Sequence, residues 1–256
     1  RQRRRISNMD TFLSILLVLV HLLYKLYNAI CDACNAVYRR CTYSWCASTT
    51  AELDTFNSLT NKMPRHLMIV FGRLGLYDES VLDCVRIIGW CISLDIPYIS
   101  FFDSFLKKNE FILKEEFARK RPDLIECITW NPHSKTHQNG RVIEGKSKIN
   151  VSLLSDVDNK GKIATLTQSL AKMVSSGNLD QEKITIELIT EELQIKGMPD
   201  PDLALIRDYS CSTHGVLPWH TRTTEFLMLP LYVNIPVKDF TCLLEKYNKC
   251  VQRHGK

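Results

Sequence analysis

The chain reads as an α/β domain with a mostly parallel central sheet and flanking helices, preceded by an N-terminal membrane helix. Three observations carry that reading. Short unbroken apolar runs such as HLMIVF and YISFF end at glycine or polar residues, stretches of helical period lie between them, and one longer apolar stretch sits near the N-terminus. A strand covered on both faces must be apolar throughout, which parallel sheets require. Alternation of such strands with helices is the pattern of βαβ units.

The bulk properties fit one mid-sized domain with an appendage. The 256 residues are 45% hydrophobic and 24% charged, enough apolar material for a packed core. Of the formal net charge of +5, Arg1, Arg3, Arg4 and Arg5 supply four units. The remainder is near neutral, so the basic folded face that nucleic acid needs is not indicated. Ten cysteines are too sparse for a disulfide scaffold. Cys84, Cys91, Cys127 and Cys242 stand singly in apolar runs, as small hydrophobes do in a reducing compartment. Cys31, Cys34, Cys41 and Cys46 open with a C-x-x-C pair, but the second pair is irregularly spaced for zinc. Cysteines just beyond a membrane segment are commonly free or palmitoylated.

Residues 1–8 form a basic leader, either upstream sequence or the cut end of a longer protein, since the first methionine is Met9. Residues 9–30 are the expected transmembrane anchor. Their core at 12–20 is apolar but for Ser14, and His21, Lys25 and Asn28 intrude before Ile30, over close to the roughly 20 residues a bilayer requires. The bulky residues Tyr24, Leu26 and Tyr27 follow the core and no small-x-small site is convincing, which favours a retained anchor over a cleaved signal. With a start at Met9, the positive flank of Lys25, Arg39 and Arg40 places the C-terminal domain on the cytosolic side. With the arginines at 1–5 in place, the charge rule gives no orientation. Residues 31–63 are the expected juxtamembrane linker and include a short amphipathic stretch.

The domain is expected over 64–256. Strands are predicted at 66–71, 98–102, 149–154 and 203–206, with Gly72 ending the first. Val81, Cys84, Val85, Ile88 and Ile92 recur at helical spacing, and residues 163–174 are helical, while 184–193 are mixed. Residues 119–147 show little periodicity and read as a loop or insertion. Phe240, Leu243, Leu244, Tyr247 and Val251 define one face of a last helix, followed by a polar tail at 252–256.

One motif invites chemistry it cannot support. GRVIEGKS at 140–147 satisfies the phosphate-loop pattern, yet such a loop must follow a buried strand and open a helix. Here a polar loop precedes it and a strand follows. No G-x-S-x-G, H-E-x-x-H or G-x-G-x-x-G is present. Asn150, Val151 and Ser152 form a glycosylation sequon inside a predicted strand.

Three segments carry more information: PDPDLALI at 199–206, LPWH at 217–220, and Thr224, Glu225 and Phe226. Together with PRHLMIVF at 64–71, the Trp90-Cys91 pair and the 96–102 stretch, they resemble the cis-prenyltransferase (undecaprenyl diphosphate synthase) family. The resemblance runs from about residue 60 to an R-x-G tail at Arg253, His254 and Gly255. With the anchor, it is similar to the non-catalytic accessory subunits of dehydrodolichyl diphosphate synthase. Such a subunit is expected at the endoplasmic reticulum membrane in a heteromer with a catalytic cis-prenyltransferase chain that holds Mg²⁺. Its substrates would be isoprenoid diphosphates on the route to dolichol.

The departures from the family pattern imply that the domain has no catalytic or metal-binding residues of its own. The family's metal-holding aspartate falls on Gly72, its first phosphate-clamping arginine on Ile206, its second on Ser212 and its phosphate-binding serine on His214. Arg207 stands one place late, and a one-residue shift in a strand reverses the face. Asp208 would repel a diphosphate. Asp103, Ser104 and Phe105 replace the family's F-S-x-E-N stretch. Glu225, His66, Pro218 and Trp219 are expected to be structural, the last two packing the core or a dimer interface. By resemblance, Arg253, His254 and Gly255 complete the isopentenyl diphosphate site of the partner. The alternatives are a self-sufficient enzyme, or a membrane receptor or lipid-binding interaction protein without a prenyltransferase role.

Overall fold

The computed structural model describes residues 13–27, 29, 30, 33, 49–72, 77–131, 149–193, 198–231 and 234–251. They fall into two units divided after Ala47. In the first, residues 13–27 are helical, and Leu13, Leu17, Leu19, Leu22, Leu23 and Leu26 are all more than half exposed. Among the described residues no helix is both long and apolar enough to cross a membrane. Residues 9–12 and 28 of the expected anchor, the leader at 1–8, and Cys31, Cys34, Cys41 and Cys46 lie outside the described residues.

The second unit is built on a six-stranded, wholly parallel sheet: β1 (His66–Phe71), β2 (Tyr98–Phe102), β3 (Ile128–Trp130), β4 (Ile149–Leu154), β5 (Leu203–Arg207) and β6 (Glu225–Met228). Their order is β3-β4-β2-β1-β5-β6. The chain therefore starts at the centre, builds one half of the sheet, and crosses back to lay β5 against the free side of β1. In α/β sheets, a reversal of this kind leaves a crevice at the carboxyl ends of the two strands concerned.

Helices α1 (Thr49–Leu59), α2 (Tyr77–Ser93), α3 (Ser104–Lys108), α4 (Glu110–Lys120), α5 (Lys160–Ser175), α6 (Ile186–Leu193) and α7 (Val237–Lys249) complete the unit. Strand side chains alternate between two apolar layers, as the two-residue period requires. Leu67, Ile69, Phe71, Ile99, Phe101, Leu203 and Leu205 join residues of α1, α2, α4 and α7 in the larger layer. Met68, Val70, Phe102, Leu154, Ala204 and Ile206 join Val216 and Leu217 in the smaller one. Helix α1 lies within the stretch read as linker and buries Leu53 and Phe56 in the larger layer.

Several local expectations need correction. Residues 122–127 form a 3₁₀ turn opened by Pro122, and β3 follows, so 119–147 is not loop throughout. Three residues are too few for periodicity to register, and β3 is fixed instead by its pairing with β4. The polar GRVIEGKS segment lies outside the described residues, but the strand expected after it is β4. Cys84 and Cys91 are buried, and that burial pushes both thiols up. Cys242 is exposed, because the buried face of α7 passes through positions 240, 243, 244 and 247. Val251 is 81% exposed: Cys250 turns extended (φ −73°, ψ 125°) and the helical period stops there.

The amino end of the sheet is tied by His66, as expected of a satisfied core histidine. Its Nδ1 lies 2.6 Å from the Pro199 carbonyl and its Nε2 2.8 Å from Ser100 Oγ. Asp202 Oδ2 accepts from the Arg65 and His66 backbone N–H groups at 2.7 and 2.9 Å. Burial lowers the imidazole from 6.5 to about 4, against the pull of the Pro199 carbonyl and Asp202. The native state thus holds His66 neutral while the unfolded chain takes up a proton between these values. Stability from this group is complete above pH 6.5 and lost as pH falls towards 4, by about 3 kcal/mol in all. Urea midpoints measured from pH 7.5 to 4.5 should fall along this window, and His66→Asn should remove that part of the slope.

Candidate functional site

The crevice between the carboxyl ends of β1 and β5 is where the sheet's topology places a ligand site, and its residues differ in kind from those a diphosphate requires. The Gly72 N–H donates to the Arg207 carbonyl at 3.0 Å, holding the two strand ends together. Phe71 is paired with Arg207 and Val70 with Ile206. Parity then decides the side chains. Ile206 enters the smaller apolar layer with Met68 and Val70, so the position matched to a phosphate-clamping arginine carries an apolar filler.

Arg207 points to the opposite face, as the one-residue shift predicts. It is only 4% exposed, with Nη1 3.0 Å from Asp83 Oδ2 on α2 and the guanidinium 5.9 Å from the Phe71 ring centroid. Asp83 Oδ1 also accepts from the Ile235 N–H at 3.2 Å and from Arg86 at 3.4 Å. Burial pushes the Asp83 carboxyl up, and Arg207 and Arg86 pull it down. The sequence held the charge of Arg207 in view but not its partner, because Asp83 is separated from it by most of the domain.

Gly72 brings no carboxylate of its own to the position of the family's aspartate, but one stands beside it in space. A Cβ on Gly72 would lie 2.3 Å from Asp208 Cγ and 2.4 Å from its Oδ2. The Asp208 carboxylate therefore fills the space over Gly72 where a side chain would begin. It is fixed on both oxygens: Oδ1 accepts from the Tyr209 N–H at 2.7 Å, and Oδ2 lies 2.8 Å from His214 Nε2. His214 adopts a positive φ of 49°, with its N–H donating to Ser212 Oγ at 3.2 Å. The two positions matched to phosphate-binding residues, Ser212 and His214, thus hold the loop that carries Asp208. The signal available in sequence was adjacency alone: Asp208 follows the last residue of the strand that lies beside β1.

Mg²⁺ does not fit this donor set. The ion takes near-octahedral oxygen ligands, whereas Gly72 offers no carboxylate and both Asp208 oxygens already serve the loop. Among the described residues no group of three histidine, cysteine or acidic side chains converges on a metal position. At the neighbouring strand ends, Asp103 caps α3 by accepting from the Phe105 and Leu106 N–H groups at 2.7 and 2.9 Å, and burial raises its carboxyl. Ser104 donates to Asp156 at 2.8 Å. Glu225 opens β6 beside Leu203, at the opposite end of the sheet from Gly72.

The LPWH segment is not uniformly buried. Leu217 and His220 are buried, and His220 bridges Asp200 Oδ1 at 2.7 Å and the Leu193 carbonyl at 3.0 Å. Pro218 and Trp219 are half-exposed rather than in the core, since Val216 and Leu217, the latter at a φ of 42°, take the inward positions. Trp219 Nε1 donates to Thr190 Oγ1 at 3.0 Å, and Arg222 lies 5.5 Å from its ring centroid. Asn150 sits inside β4 between β2 and β3, its backbone N–H donating to Pro97. Its side chain is partly exposed, and Nδ2 donates to the Pro97 carbonyl at 3.4 Å, a contact that a glycan would displace. Arg253, His254 and Gly255 lie outside the described residues.

No protein-family model matches the chain. Among solved structures, it is similar to lavandulyl diphosphate synthase from Lavandula x intermedia in complex with dimethylallyl diphosphate. The TM-score is 0.54 at 15% identity, over 75% of this chain and 98% of that one. The fold is that of the cis-prenyltransferases. In sequence, the chain is similar to dehydrodolichyl diphosphate synthase complex subunit NUS1 of Homo sapiens, 30% identical over 201 residues, 76% of this chain and 68% of the human protein. It is also similar to subunit nus1 of Schizosaccharomyces pombe, 23% identical over 247 residues, 90% and 94% of the two chains. The chain belongs to the family of dehydrodolichyl diphosphate synthase complex subunits.

Because the Asp208 carboxylate occupies the Cβ position of Gly72, Gly72→Ala should cost about 1–3 kcal/mol of stability. In an Asp208→Gly background that cost should largely vanish, as a double-mutant cycle on urea midpoints would read. Additive effects would show that the carboxylate does not lie over residue 72.

Proposed function

We propose that the chain is the non-catalytic, membrane-anchoring subunit of a heteromeric cis-prenyltransferase that makes dehydrodolichyl diphosphate, the dolichol precursor used in protein glycosylation. The observation that carries this reading is the crevice at β1 and β5. There a histidine-held carboxylate stands over Gly72, and the nearest arginine of the strand, Arg207, is committed to Asp83 on the other face. An anionic diphosphate meets repulsion there instead of the paired donors it needs. Chemistry of the family's kind then falls to a catalytic partner chain, which supplies the Mg²⁺ site.

The described part of the N-terminal stretch, with large apolar side chains exposed all round, supports the anchor. A helix apolar on every side is at home in a bilayer or in a large core. The membrane is that of the endoplasmic reticulum, with the α/β domain on the cytosolic side. There the subunit stabilises its catalytic partner and presents its C-terminus to the partner's isopentenyl diphosphate site. Arg253 supplies a planar fork of donors matched to phosphate oxygens. Gly255, lacking a Cβ, lets its backbone N–H approach the anion, and His254 stands between them.

The test is turnover of the co-purified heteromer with farnesyl diphosphate, isopentenyl diphosphate and Mg²⁺. Arg253→Ala should lower turnover by about a hundredfold or more, the scale of losing a preorganised donor from a charged transition state, while the two chains stay assembled. Wild-type turnover in that variant would remove the donated tail. Chain elongation by this polypeptide alone would remove the accessory role.

A further inference from the structure

We draw no further inference here: the strongest candidate, the surface patch where the half-exposed Trp219 meets α6 at Thr190, one turn from the exposed Ile186, carries nothing because no feature of the described residues shows what covers it.

Discussion

The side-chain parity of β5 governs the rest of the crevice. In a strand with a period of two, Leu203, Leu205 and Arg207 must share one layer and Ala204 and Ile206 the other. Once Leu203 and Leu205 are committed to the large core, Arg207 is carried into it as well. A guanidinium there is tolerable only with a buried counter-charge, which Asp83 supplies from α2. Because Arg207 is the last residue of the strand, the chain emerges beside Gly72 with Asp208 next. The missing arginine, the buried ion pair and the carboxylate over the glycine are consequences of one register.

That register also explains why the crevice is closed by addition as well as by loss. Replacing a metal-binding aspartate by glycine would leave a vacant strand end that water or an ion could enter. Here the vacancy is taken by a carboxylate whose two oxygens are each held, one by a backbone N–H and one by an imidazole. The positive φ of His214 is the backbone accommodation that brings its ring to Asp208. The loop is thus organised around its own contacts.

The fold was legible where one signal sufficed. The runs at 66–71, 98–102 and 149–154 are strands to the residue, and 203–206 extends by one, because strands buried on both faces leave a concentrated hydrophobic mark even where Ser100, Asn150 and Ser152 interrupt it. What sequence could not supply was any relation between distant polar groups. The Asp208–Gly72 approach depends on β1 and β5 being neighbours, the Arg207–Asp83 pair on where α2 lies, and the half-exposure of Trp219 on a left-handed turn at Leu217. The three-residue β3 escaped because three residues are too few to establish an alternation, and Val251 misled because an extended residue at 250 ends the helix before the apolar spacing does.

Helix α1, the first element of the folded unit, packs directly on α7, the last, through the layer containing Leu53, Phe56, Leu244 and Tyr247. The polypeptide therefore enters and leaves the domain along a common seam. A mechanical load applied to the chain ahead of α1 would reach the departing end across one helix–helix contact, without passing through the sheet. Such an arrangement makes the entry and the exit of the folded unit parts of a single lever, with the sheet as its fixed mount.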